Sequence, residues 1–238
     1  MDEFIHCCDV LLVNGSAGSA AQRDAHDRLL RFQMDPTSWQ LVLRVLMSSA
    51  AGASVSEAAL FIAARLLRSA IPVLDAPDQV HVRDHLLQFL CADRPRTSAS
   101  VRPVERLVCL ALASAVVQIQ QDWPSWKERL HSTLLQNQAS PHGLLLLLEV
   151  LAGIPGEIYS QCSLAESVPQ VATMVQAFQK DAIHVLHLVR DTLVSMPDAA
   201  FVALTCLQNW GHDVMPVVEI EFGLCSVDLS EGYVQHRQ

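Results

Sequence analysis

His81 and His85 stand one helical turn apart beside Asp78 and Asp84, and side chains at i and i+4 share a helix face, which is the spacing a helical metal pair needs. The same segment carries Val82, Leu86 and Phe89 as an apolar stripe on its other side. Spacing alone is a weak metal signal, so the histidines are expected on a solvated face. His184 and His187, alternating with Lys180 and Asp191, read the same way. Cys7 and Cys8 are adjacent, whereas metal or redox pairs need two intervening residues, so a structural role is expected. Asn14-Gly15-Ser16-Ala17-Gly18-Ser19 has glycines but neither a following Lys-Ser or Lys-Thr nor a preceding strand, and reads as an interhelical loop. No GxSxG, no HExxH and no nucleophile beside a base occurs. Catalysis, a cofactor and a metal are therefore not expected. Arg65 and Arg68 are different: they lie three apart on a helix whose other side is filled, open either to a partner or to simple solvation and intramolecular pairing.

The elements that must carry these residues are helices. The chain of 238 residues is 51% hydrophobic with only 9 Gly, enough apolar material for one domain or one continuous array. A formal charge of −9 disfavours a phosphate-binding nucleic-acid surface and suits a partner with basic patches. Seven cysteines without a CxxC pair predict a reducing compartment. The start, Met1-Asp2-Glu3-Phe4, lacks the basic residues and apolar run of a signal peptide. The uncharged stretch Leu107 to Gln121 contains Ser114 and three glutamines, and Gly143 to Val150 is broken by Glu149. Neither reaches the ~20 apolar residues of a membrane span, so no membrane insertion is expected.

Along the chain, helix-sized apolar periodicity repeats in pairs of about 40 residues, the signature of stacked helical hairpins. Helices are predicted over Asp2 to Val13, Ser19 to Met34, from Pro36 to Ala50 and from Val55 to Ala70. The third places Trp39, Leu43, Leu46 and Ala50 on one stripe; the fourth carries a stripe of Val55, Ala59, Ile62, Leu66 and Ala70. Asp78 to Cys91 forms the fifth, Ala92 to Ser100 an exposed loop, and Val101 to Gln121 a sixth whose uncharged centre predicts neighbours on several sides. Trp123 to Asn137 is the seventh. The eighth starts at Ser140-Pro141 and is expected to stop at Gly153 and Pro155. A ninth long helix is expected over Gln170 to Ser195, then a last one ending at Trp210. Trp39, Trp123, Trp126 and Trp210 are expected in core and inter-repeat packing, with peptide anchoring as the other reading. The fold class is thus all-α: a right-handed α-solenoid of about five HEAT-like antiparallel helix pairs over residues 1–216. Residues 217–238 make a non-repeat tail, poorly ordered or truncated, and a piece of a longer protein is expected because no capping helix follows.

Six stretches carry a family resemblance. Ala25-His26-Asp27-Arg28-Leu29-Leu30-Arg31-Phe32-Gln33-Met34-Asp35-Pro36-Thr37-Ser38-Trp39 resembles a first-repeat signature of importin-β-type nuclear transport receptors, in the transportin-SR and importin-thirteen branch. Phe61 to Ile71 looks like that group's second-repeat inner helix. Leu107 to Ala113, Trp123-Pro124, Leu147 to Glu157 and Cys206 to Trp210 follow in order. The resemblance implies the N-terminal part of such a receptor, with A helices on a convex outside and B helices lining a concave inside. It implies as partners the small GTPase Ran in its GTP form, basic cargo proteins and nucleoporins, and a location in nucleus and cytoplasm. It places Arg65, Arg68 and Ser69 on the second B helix as contacts to Ran, with Arg31 and Asp35 at the end of the first. The family usually has Lys where this chain has Ala70, which removes one cation from that surface. The alternative is a HEAT-repeat scaffold or adaptor that does not bind Ran.

Overall fold

Ten α-helices make up most of what the computed structural model of the chain describes, which is residues 1–12, 19–92, 101–119, 123–135, 141–164, 175–176, 178–196 and 199–210; no strand occurs among these. They are α1 (Asp2–Leu12), α2 (Ala20–Met34), α3 (Ser38–Ala50), α4 (Glu57–Ala70), α5 (Ala76–Cys91), α6 (Pro103–Gln118), α7 (Trp123–Leu135), α8 (Pro141–Leu164), α9 (Ala182–Ser195) and α10 (Ala200–Asn209), with a 3-10 turn at Ile71–Val73. The expected Asn14–Ser19 loop lies, apart from Ser19, outside the described residues; so do the Ala92–Ser100 loop past Ala92 and the 217–238 tail.

Local chemistry sets the boundaries. Ser19 and Ser56 accept the backbone N–H groups of Gln22 and Ala59, and Asp75 accepts that of Asp78, each satisfying a donor that a helix start would leave orphaned. Gly52, at φ +90°, provides the left-handed turn that closes α3. Pro103 follows Arg102 at the start of α6, and the Glu105 carboxylate reaches back to the Arg102 backbone N–H at 3.0 Å.

Consecutive helices pack as pairs: α1 on α2, α3 on α4, α5 on α6, α7 on α8, α9 on α10. Alternate helices also pack in sequence, α4 on α6, α6 on α8, α8 on α10, and in a second row α3 on α5 and α5 on α7. The result is an all-helical stack consistent with a helical repeat. α6 sits at its centre, and Ala111 to Val117 are all buried, as its uncharged sequence predicts. Glu105 and Cys109 of α6 meet His142 and Leu146 of α8, and Leu110 and Ala113 meet Gly153, so the two helices run parallel. At the N-terminal end the order differs: it is α1 that lies against α4, while α2 adjoins α3.

Three expectations are corrected. α8 does not stop at Gly153 and Pro155; it continues to Leu164. Its window His142–Ser160, with mean hydropathy 1.4, is consequently long and apolar enough to cross a membrane by length and composition, and 61% of it is buried inside the structure. The predicted helix over Gln170 to Ser195 is interrupted by a turn at Lys180–Asp181, where the Asp181 N–H bonds the Phe178 carbonyl at 3.0 Å. In α4 the buried face is Ala58, Ala59, Leu60, Ala63, Ala64 and Leu67, whereas Val55, Ile62, Leu66 and Ala70 are only half-buried. α4 is packed by α1, α3 and α6, so its burial is centred on the alanines that allow close approach.

Candidate partner-binding surface

Arg65 and Ser69 are exposed on α4 and Arg68 is half-buried between them. Arg68 is engaged: its Nε and Nη2 donate to Glu157 Oε1 at 3.0 and 2.6 Å, a contact from α4 to the far half of α8. Its side chain is 41% exposed and that of Glu157 only 9%, so the carboxylate is the buried member. Ser69 Oγ turns back to the Leu66 carbonyl at 2.8 Å. Arg65 has no partner among the described residues and is the free cation of the three.

Arg31 and Asp35 lie on a different surface, lining a groove of about 420 Å³ with Met1, Glu3, Phe4 and Arg28. Asp35 Oδ1 accepts both the N–H and the hydroxyl of Thr37 at 2.8 Å, and those two bonds hold its carboxyl below the usual carboxylate range. It serves the turn between α2 and α3. Arg31 is exposed. The five residues therefore divide into an α4 group and an α2 group, because α1 and not α2 is the neighbour of α4.

Sequence reasoning missed a set of polar rungs beside the α4 group. Arg106 on α6 donates from Nε and Nη2 to Glu149 Oε1 on α8, at 3.0 and 2.9 Å. Nearer the helix starts, Glu105 accepts from Arg102 Nη2 at 2.8 Å and stands 3.4 Å from His142 Nε2. Glu105 and His142 are both buried. Burial works to raise the Glu105 pKa, but the His142 ring beside it and the side-chain and backbone hydrogen bonds from Arg102 outweigh it and bring the carboxyl down to about 2. One signal was present: Glu149 and Glu157 are the only acids between His142 and Ser160, and acids in so apolar a helix need partners.

The other readings resolve simply. Asp84 is taken by Arg83 and by Arg129 of α7, and His85 Nδ1 lies 2.8 Å from the His81 carbonyl, so these polar groups of α5 are engaged within the stack. No three of His, Cys, Asp or Glu converge as metal ligands among the described residues. Trp39, Trp123, Trp126 and Trp210 are all buried, as packing requires. Trp123 Nε1 donates to Asp181 Oδ2 at 2.7 Å, tying α7 to the start of α9. Cys7, Cys8, Cys109 and Cys206 are buried, and burial pushes the Cys8 and Cys206 thiols up to about 12, which leaves them inert.

The fold defines a class, an all-α helical stack consistent with a helical repeat. No model of a known protein family matches the chain, and no curated protein sequence does.

Proposed function

We propose that the stack is a right-handed HEAT-like α-solenoid and that the chain is the N-terminal part of an importin-β-type nuclear transport receptor, of the transportin-SR and importin-thirteen branch. On this reading α4, α6, α8 and α10 line the concave side. The α4 face with Arg65 contacts Ran-GTP, protein cargo occupies an overlapping surface, and the two ligands weaken one another through a coupling of roughly 1–3 kcal/mol. The protein then works in nucleus and cytoplasm by binding alone.

One observation carries the reading: the six family-like stretches occur in the family's order, and three of them meet. Arg68 of the second stretch pairs with Glu157 of the fifth, and Trp210 of the sixth donates to the Leu151 carbonyl of the fifth at 2.7 Å. The second reading, a scaffold that does not bind Ran, draws on the engagement of Arg68 and Asp35 within the chain, which leaves Arg65 and Arg31 as the members of the set without a partner among the described residues.

The test is affinity for Ran loaded with GTP against Ran loaded with GDP. A preference of at least about ten-fold for the GTP form, reduced about ten-fold again by Arg65→Glu, is expected. Equal or absent binding to the two forms would leave the scaffold.

A further inference from the structure

Pro155 stands inside α8, where an unbroken helix would use the N–H of residue 155 to bond the carbonyl of residue 151. Proline has no N–H, and its ring crowds that carbonyl. The Leu151 carbonyl is nonetheless bonded: Trp210 Nε1, on a fully buried indole, donates to it at 2.7 Å. Next to it, Asn209 Nδ2 donates to the Ala152 carbonyl at 2.8 Å. Both donors come from the end of α10. On either side of the proline stand glycines. Gly153 is wedged so closely that a Cβ would lie 3.0 Å from Leu110 Cδ2 and 3.1 Å from Ala113 Cβ, while a Cβ on Gly156 would meet nothing within 4 Å. Two residues past the proline, Glu157 holds Arg68 of α4. Two successive turns of α8 are thus gripped, by α10 through the carbonyl that proline frees and by α4 through a buried carboxylate.

We infer that residues 151–157 form a hinge that couples the seating of α10 to the position of Arg68. With Trp210 and Asn209 on the two carbonyls, the far half of α8 is fixed in direction, and Glu157 presents the Arg68 guanidinium beside Arg65. When either grip is released the turn has a missing hydrogen bond and a glycine facing open space, so the other grip weakens with it. The hinge regulates the face proposed above to bind a partner, yet it does not rest on that reading, and its test needs no partner.

Amide hydrogen exchange on the full chain tests it. Trp210→Phe keeps an aromatic ring and deletes the indole donor. Exchange over residues 153–160 is expected to rise about ten-fold, the effect of one lost hydrogen bond to a buried carbonyl. The coupling between Arg68 and Glu157, from a cycle of Arg68→Ala and Glu157→Gln, is expected to fall by about half. Pro155→Ala restores the missing N–H, and in that background Trp210→Phe should change exchange over 153–160 by less than about two-fold. If Trp210→Phe accelerates every helix, Asn209→Ala makes the same comparison, with acceleration confined to 153–160 expected. Acceleration confined to 199–210, or a Trp210→Phe effect that Pro155→Ala leaves intact, overturns the hinge.

Discussion

Glu105 is a buried acid kept ionised by its neighbours, and that makes it a source of pH-dependent stability. Its carboxyl is held at about 2 against an ordinary 4.5. A group with a lowered folded pKa binds fewer protons folded than unfolded. Its contribution is therefore complete above about pH 4.5 and is lost as pH falls toward about 2. Glu105→Gln is expected to cost about 2 kcal/mol near neutral pH and to flatten the acid branch, read by urea denaturation over a pH series. Arg68→Ala strands a buried Glu157 and is expected to cost about 2 kcal/mol, whereas adding Glu157→Gln recovers part of the loss. Denaturation midpoints of the single and double variants check the order. Residue types alone disclosed the buried tryptophans, whereas of the histidines expected on solvated faces His81 and His184 are exposed and His85 and His187 are half-buried. Residue types left intramolecular pairing open for Arg68 but could not name Glu157, which is 89 positions away with no local pattern linking the two.

At the scale of elements, two glycines of α8 make opposite predictions. A Cβ at Gly143 would overlap the Leu134 carbonyl oxygen, so α7 and α8 touch backbone to backbone there. Gly143→Ala is expected to cost at least about 3 kcal/mol. Gly156→Ala meets open space within a helix and should stabilise by about 0.5–1 kcal/mol. Thermal melts of the two variants distinguish them. Helix existence was legible in the 3.6-residue periodicity, and the starts in Ser19, Ser56 and Asp75. The end of α8 was not legible: proline normally stops a helix for want of a donor, and here the donor arrives from Trp210. The break at Lys180–Asp181 was hidden likewise, since the Asp181 carboxylate is held by Trp123 and Lys127 of α7, more than 50 positions away in sequence. In α4 the apolar stripe pointed to the larger side chains, whereas three-sided packing buried the alanines.

For the whole molecule, the pairing of helices at a period of about 40 residues was readable because each hairpin leaves an apolar side that only a neighbour can cover. The placement of α1 against α4 was not, because repeat counting assigns helices to rows by parity and contains nothing about how the first pair docks. Net charge was equally silent on the local field. The chain is −9 overall, and of Arg65, Arg68 and Arg106 on α4 and α6 two are paired with Glu157 and Glu149, which leaves Arg65 without a partner among the described residues. On the proposed function that face is the working surface. Amide exchange of the full chain with and without Ran-GTP tests it most directly. Protection over residues 57–70 and 103–118, absent with Ran-GDP, is expected. Protection confined to α3 and α5, or the same pattern with both nucleotides, would contradict it.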